Sequence, residues 1–264
     1  MSGSTPKKNY LSMGQLSVVI ITFNEEKNIG RCIDSVLEVA DEVLILDSNS
    51  TDNTTAIARQ MGATVYQQAF LGYIEQKNKA LSLAKHHLVL SLDADEAIDK
   101  TLQDSILAVK NNFHYNGYTM NRFNSYCGKF IRHGSWYPDT RMRLVDKSYV
   151  TWAGDNPHDT LTFTSPQSKK HLKGDILHYS FNSFEEHADQ NNKFSSISAD
   201  SLFKRGKKTN LFKIVFNPSW AFVRSYWLRL GFLDGFYGFV IAVNIAHLTF
   251  LKHSKLYKLQ KSIL

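Results

Sequence analysis

Four short apolar runs alternate with three helical patterns over roughly 80 residues, and this alternation constrains the fold more than any other feature of the chain. Residues 16–22 (LSVVIIT), 42–47 (EVLILD), 63–67 and 88–92 have strand length and are rich in β-branched or aliphatic side chains. Runs without polar alternation fit strands buried on both faces, the pattern of a parallel sheet covered by helices. Between them, Ile29, Cys32, Ile33, Val36 and Leu37 fall at helix spacing, and further helices are expected over 56–61 and 72–84. Asn24 is placed to cap the first of these with Glu25 and Glu26 in its first turn, and Gly62 is placed to stop the second. The expected fold class is therefore α/β, Rossmann-like, with a mostly parallel central sheet and flanking helices.

The strand loops exclude two common nucleotide enzymes. Neither GxGxxG nor GxxxxGK[ST] occurs, so a dehydrogenase or P-loop NTPase is disfavoured. Phosphate would instead be met by side chains and a metal. The fourth strand supplies such groups: residues 88–96 read LVLSLDADE, with Asp93, Asp95 and Glu96 at the carboxyl end of the run. Ligand crevices of open α/β sheets lie at that end. Crowded carboxylates call for a positive partner, and a divalent cation bridging phosphates supplies one. A solvated acidic turn is the other reading of the same stretch.

Downstream, a helix is expected over 101–110 and strands over 115–123 and 141–145, separated by an aromatic, basic loop, SYCGKFIRHGSWYPDTR. Residues 150–152 lead into Asp155-Asn156-Pro157-His158-Asp159, a second carboxylate cluster, expected on a loop. Residues 176–179 form a short expected strand carrying His178, and 184–205 a long helix. Cys32 and Cys127 fit no metal spacing and are expected as core filler in a reducing compartment.

Charge divides the chain. Residues 201–264 carry 11 Lys/Arg against one acid, Asp234, whereas the first 200 residues carry 20 Lys/Arg against 23 Asp/Glu. A basic tail of this kind suits an anionic partner, nucleic acid or membrane lipid. Within it, 236–251 is a mostly apolar run, shorter than the ~20 residues a spanning helix needs. A helix packed on the domain, an interfacial helix and a membrane span all remain open for it. The start, residues 1–15, is polar, lacks an apolar signal core and is expected to be disordered. The expected division is thus 1–15, a domain over 16–210, and a basic, aromatic helical region over 211–264.

The segments SVVIITFNEEKNI, EVLILDSNSTDNT and LDADE together resemble the family 2 glycosyltransferases with the GT-A fold. The later residues Trp136-Tyr137-Pro138-Asp139, Arg141, Arg143-Leu144, Trp152, His158-Asp159 and the segment GFLDG (231–235) resemble more particularly the lipopolysaccharide-core sugar transferases of the WaaE type. The resemblance covers roughly residues 16–258. It implies an inverting, metal-dependent enzyme that moves a sugar from a nucleotide-diphosphate donor, UDP-glucose by default, to a lipid-linked or lipopolysaccharide acceptor. Thr22, Asn24 and Glu25 would lie along the nucleoside and Asp47 on the base, with Asn49 and Asp52 in the same nucleotide site. Gln76 and Asn78 would contact the nucleoside and Lys77 the phosphates. Asp93 would face ribose and metal, Asp95 would ligate Mg²⁺ or Mn²⁺, His178 would reach that metal, and Glu96 would stand behind them. Asp159 is the implied base, with Asp155 as the alternative; the family more often has Glu after the His. Trp136, Asp139, Arg141, Trp152 and His158 would position donor or acceptor. No QxxRW motif is present, so one sugar per encounter is expected. The expected location is cytoplasmic, peripheral on the inner face of the cytoplasmic membrane through the C-terminal region, and nucleic acid is not an expected partner. A nucleotidyltransferase built on a similar Asp–metal site and a nucleic-acid-binding protein are the competing readings.

Overall fold

The computed structural model describes residues 14–155 and 158–262; for Asp155 and His158 only the backbone is described. All but the last two residues of the expected disordered start lie outside the described residues. The chain forms two compact units, each discontinuous in sequence: Met1–Met120 with Thr140–Ile176, and Asn121–Asp139 with Leu177–Leu264.

In the first unit, β1 (Leu16–Thr22), α1 (Ile29–Val36), β2 (Glu42–Asp47), α2 (Thr54–Gln60), β3 (Thr64–Gln67), α3 (Tyr73–Leu83) and β4 (Leu88–Asp93) follow the expected alternation. β1 pairs in parallel with both β2 and β4, with Ile20 opposite Ile45 on one side and Leu92 on the other, and β2 pairs in parallel with β3. Successive side chains of a strand face opposite sides of a sheet, and both sides are apolar here. Val18, Ile20, Ile45, Leu90 and Leu92 pack with Ile29, Ile33 and Val36 of α1. Val19, Leu44, Leu46 and Val89 pack with Ala80 and Leu81 of α3.

β5 (Glu96–Ile98) and α4 (Lys100–Lys110) follow, the helix capped by Asp99, which accepts from the Leu102 amide at 2.7 Å. Then come β6 (Gly117–Tyr126), β7 (Lys129–Phe130), β8 (Asp139–Asp146), β9 (Val150–Asp155), β10 (His158–Phe163) and β11 (Lys169–Phe181). The large sheet has the order β3-β2-β1-β4-β8-β6-β11-β5, with β7 beside β6 and β8 antiparallel to β4.

Two stretches differ from their expectation. Residues 155 and 158–159 belong to an antiparallel hairpin, β9–β10, rather than to an open loop. Trp152 stands opposite Leu161 in it, and both are buried in the core shared with α3. The polar run between these two residues hides the alternation. The strand expected over 176–179 extends over Lys169–Phe181 because its basic first half also pairs. Gly174 makes this possible: its φ is +96°, and a Cβ there would sit 2.2 Å from the Leu102 backbone nitrogen.

In the second unit, the far ends of β6 and β11 carry Tyr126 and Phe181, which pack with Ile131 and Ile241. Helices α5 (Phe184–Lys204), α6 (Leu211–Val223) and α7 (Phe236–Lys261) complete it, α7 packing on both others. The 211–264 region therefore shares a unit with α5. The GFLDG segment is a clasp: the buried Asp234 carboxylate accepts from the Arg132 and His133 amides at 3.2 and 2.7 Å. A Cβ on Gly238 would lie 1.8 Å from the Gly231 carbonyl oxygen, so α7 can cross this segment only at a glycine. Among the described residues no helix is long and apolar enough to cross a membrane.

Candidate active site

Two loops leave the carboxyl ends of β1 and β2 and are tied to each other by side chains. Asn24 and Asn49 both take left-handed backbone conformations, φ 54° and 64°, which Asn tolerates better than most residues. Asn24 Oδ1 accepts from the Thr51 amide at 2.8 Å, and the Asn24 amide donates to the Ser50 hydroxyl at 2.8 Å. The Glu25 amide donates to Thr54 Oγ1 at 2.8 Å, and the Glu26 amide to Asp52 at 3.1 Å. Asp52 also accepts from the Thr54 amide and hydroxyl; burial pushes its carboxyl up, but these hydrogen bonds outweigh that and hold it below the usual range. Asn24 is thus a loop lock and not the helix cap expected of it: the residue before α1 is Asn28, which makes no side-chain cap bond, and the first turn holds no acid.

Asp47, expected on the base, is fully buried. Its carboxylate accepts from the Ser50 amide at 2.9 Å, the Ser50 hydroxyl, and Gln67 Nε2 at 3.1 Å. Gln76 is also fully buried, donating to the Ser48 hydroxyl and accepting from Gln68, both at 3.1 Å. Both residues shape the loop after β2. The Thr22 hydroxyl is buried with no hydrogen-bond partner among the described residues, while Asn49 is exposed.

At the carboxyl end of β4 the charged residues converge. Lys77, from α3, is 4% exposed and places Nζ 3.0 and 3.3 Å from the two carboxylate oxygens of Asp93 and 2.8 Å from Asp159 Oδ2. Arg143, from β8, is equally buried; its Nη2 lies 3.1 Å from Asp93 and 3.0 Å from Glu96. Glu96 closes the ring by accepting from the Asp93 amide at 3.0 Å. The Trp152 ring lies under both cations, 4.5 Å from Lys77 Nζ and 5.3 Å from the Arg143 guanidinium. Burial works against the Arg143 charge, but Glu96 and Asp93 overcome it and hold its pKa above the ordinary value.

Asn78, expected on the nucleoside, clamps the hairpin: its side chain donates to the Trp152 carbonyl and accepts from the Trp152 amide, both at 2.9 Å. Sequence reasoning gave Arg143 no role and Glu96 only a supporting one. The available signal was position, since Arg143 immediately precedes the buried pair Leu144 and Val145 in a strand, where a charge must be paired.

Asp93, Asp95, Glu96 and Asp159 against Lys77 and Arg143 leave a formal charge of −2 on this group. That balance suits a hard divalent cation with oxygen ligands. Among the described residues no three His, Cys, Asp or Glu side chains gather into a metal cage. The oxygen donors at this strand end, Asp93 and Asp95, are of the type a hard divalent cation takes, completing its shell with phosphate oxygens and water. His178 belongs to the second unit, with Nδ1 2.7 Å from Asn124 Oδ1 and 2.8 Å from the Ser180 hydroxyl. Beneath the cluster, Cys32 is a free, buried thiol pushed up by burial and by Glu96, Asp95 and Asp93, which keeps it inert.

The remaining positioning candidates divide. Arg141 shares a face of β8 with Arg143. Asp139 and Trp136 lie in the second unit. Asp139 pairs with Arg122, at 3.0 Å to Nε and 2.9 Å to Nη2. Trp136 packs against Tyr126, Phe181 and His187. The side chains of Asp155, the alternative base, and of His158 lie outside the described residues.

Residues 17–188 match the family model described as glycosyl transferase family 2. An uncharacterized glycosyltransferase of Rickettsia typhi is 35% identical over 257 residues, 94% of this chain and 88% of its own. The lipopolysaccharide core biosynthesis glycosyltransferase LpsC of Rhizobium meliloti is 28% identical over 252 residues, 92% of each chain. Among solved structures, the mannosyltransferase PcManGT of Pyrobaculum calidifontis, in complex with GDP-Man and Mn²⁺, aligns with TM-score 0.55 and 13% identity over 92% of this chain and 86% of that one. The shared architecture is the GT-A-like α/β fold, a mostly parallel sheet with flanking helices.

Proposed function

Because the chain belongs to glycosyl transferase family 2, we propose that it moves a hexose from a UDP-hexose such as UDP-glucose to a hydroxyl of a lipid-linked or lipopolysaccharide-core acceptor, with inversion. The observation that carries this reading is the buried ion cluster in which one lysine bridges a carboxylate of the β4 end, Asp93, and one of the hairpin, Asp159. It sets a donor-side and an acceptor-side carboxylate against a common cation. Membership in this family does not favour nucleotidyl transfer or nucleic-acid binding. The relative named for lipopolysaccharide core biosynthesis supports the acceptor class.

In this mechanism the acceptor oxygen bonds to the anomeric carbon as the bond from that carbon to the diphosphate breaks on the opposite face. The electron pair leaves with UDP, and Asp159 takes the acceptor proton. Arg143 and Glu96 fix Asp93, Asn78 fixes the hairpin that carries Asp159, and Lys77 balances both carboxylates. Mg²⁺ or Mn²⁺, held by Asp95 with Asp93, would supply Lewis-acid stabilisation of the leaving diphosphate. Thr22, Asn24, Glu25, Asn49 and Asp52 would line the nucleoside, with Asp47 and Gln76 shaping its floor. Work on a lipid acceptor places the enzyme peripherally at the inner face of the cytoplasmic membrane.

The test is a donor screen by nucleotide release with and without Mn²⁺. A UDP-hexose should be turned over, and Asp95→Ala should lower its turnover at least about a hundredfold. Turnover of no sugar nucleotide, or undiminished activity of Asp95→Ala in chelator, contradicts the reading.

A further inference from the structure

We propose that α6 and the π-helical turn after it (Arg224–Leu228) form a docking surface for an anionic phospholipid bilayer, with α6 lying in the plane of the headgroups. The inference deepens the lipid-acceptor reading above, and its test does not depend on catalysis. α6 is apolar on its covered side and also carries an exposed apolar stripe. Phe212, Val215, Phe216, Trp220, Val223 and Trp227 recur at three- and four-residue steps and are 37–69% exposed. Its covered side is held by α7: Asn217 donates to His253 Nε2 at 3.0 Å, and Phe222 meets Phe239 with ring centroids 6.0 Å apart. The stripe continues beyond the helix, because Trp227 packs on Phe232 at 5.7 Å, and Tyr226 joins both to Phe239 of α7. A contiguous apolar patch of this kind marks an interaction site and not ordinary surface.

Charge selects the partner. From 201 to 233 the chain has seven Lys/Arg and no acid. Lys204, Arg205, Lys207 and Lys208 precede α6, while Lys213 and Arg224 fall at the edge of its apolar stripe by helical geometry. Apolar and aromatic residues flanked by cations suit the boundary between acyl chains and anionic headgroups. A second copy of the chain would bring the same positive rim against itself and be repelled. The apolar run 236–251 is not the main lipid-facing element, since Gly238, Ile241 and Ala242 are buried and α7 serves as the beam that holds α6.

The full chain should sediment with phosphatidylcholine vesicles containing about one third phosphatidylglycerol, and at least tenfold less with phosphatidylcholine alone. Phe216→Glu with Trp220→Glu should abolish vesicle binding, and Lys207→Gln with Lys208→Gln should weaken it about tenfold or more. Both pairs should leave UDP-hexose binding unchanged. Absence of vesicle binding, equal binding to neutral vesicles, or a lipid-free dimer dissolved by Phe216→Glu would overturn the proposal. Vesicle binding by a protein that turns over no sugar nucleotide would sustain this surface and count against glycosyl transfer alone.

Discussion

Arg143 is the residue on which the charged cluster depends. It is 3% exposed and stands between Asp93 and Glu96, itself 1% exposed. Removing one partner of a buried ion pair leaves a charge in low dielectric, so Arg143→Met should cost about 3–5 kcal/mol in unfolding free energy. Adding Glu96→Gln should restore much of it; a single variant as stable as the parent would show that the pair is not the anchor. Asn78 offers a milder test. Asn78→Ala strips a donor from the Trp152 carbonyl and an acceptor from its amide, at about 1–3 kcal/mol in denaturant titration, whereas a purely nucleoside-binding Asn78 would leave stability unchanged. Both residues show where sequence reasoning stops. Asp93, Lys77 and Asp159 stand out by residue type and by the motif resemblance, but their meeting on one lysine depends on residues 82 positions apart coming together. Asn78 is a residue type that suits a ligand contact, and its contacts with the Trp152 backbone, 74 positions away, are visible only in three dimensions.

Among the elements, β1, β2, β4 and α1 were legible because the strands are largely apolar runs and the helix has one apolar face, whereas the short β3, TVYQ, rests on its position after Gly62. The β9–β10 hairpin and the first half of β11 were not. Their inward residues are few and separated by charged ones, so local pattern favoured a loop where tertiary pairing made strands. In the second unit α5 contributes His187, which stacks on Phe181 at 4.5 Å and meets the Tyr126 hydroxyl at 3.1 Å. Burial pushes His187 down to about 4 from an ordinary 6.5. The folded state therefore holds it neutral, and the unfolded chain takes up the proton first as pH falls. Its contribution is complete above pH 6.5 and is lost between 6.5 and about 4, with a drop of roughly 1–3 kcal/mol that solvent contact moderates. Melts of the parent across that window should fall by more than those of His187→Asn; parallel curves would place the acid sensitivity elsewhere.

The whole molecule joins a nearly balanced catalytic region to a cationic end. The first 200 residues sum to −3 and the last 64 to +10, a division readable from composition alone. The two compact units were not readable, because segments far apart in sequence alternate between them. In the proposed docking surface the lipid-facing element is α6, the helix before the longest apolar run. What unites the proposed chemistry is Asp159 as the group that would take the acceptor proton. The direct measurement compares Asp159→Asn with the parent for UDP-hexose affinity by calorimetry and for UDP release with acceptor present. Donor affinity should stay within about threefold while turnover falls by roughly 10²–10⁴. Undiminished turnover, or a collapse of donor affinity that accounts for the lost rate, would contradict it.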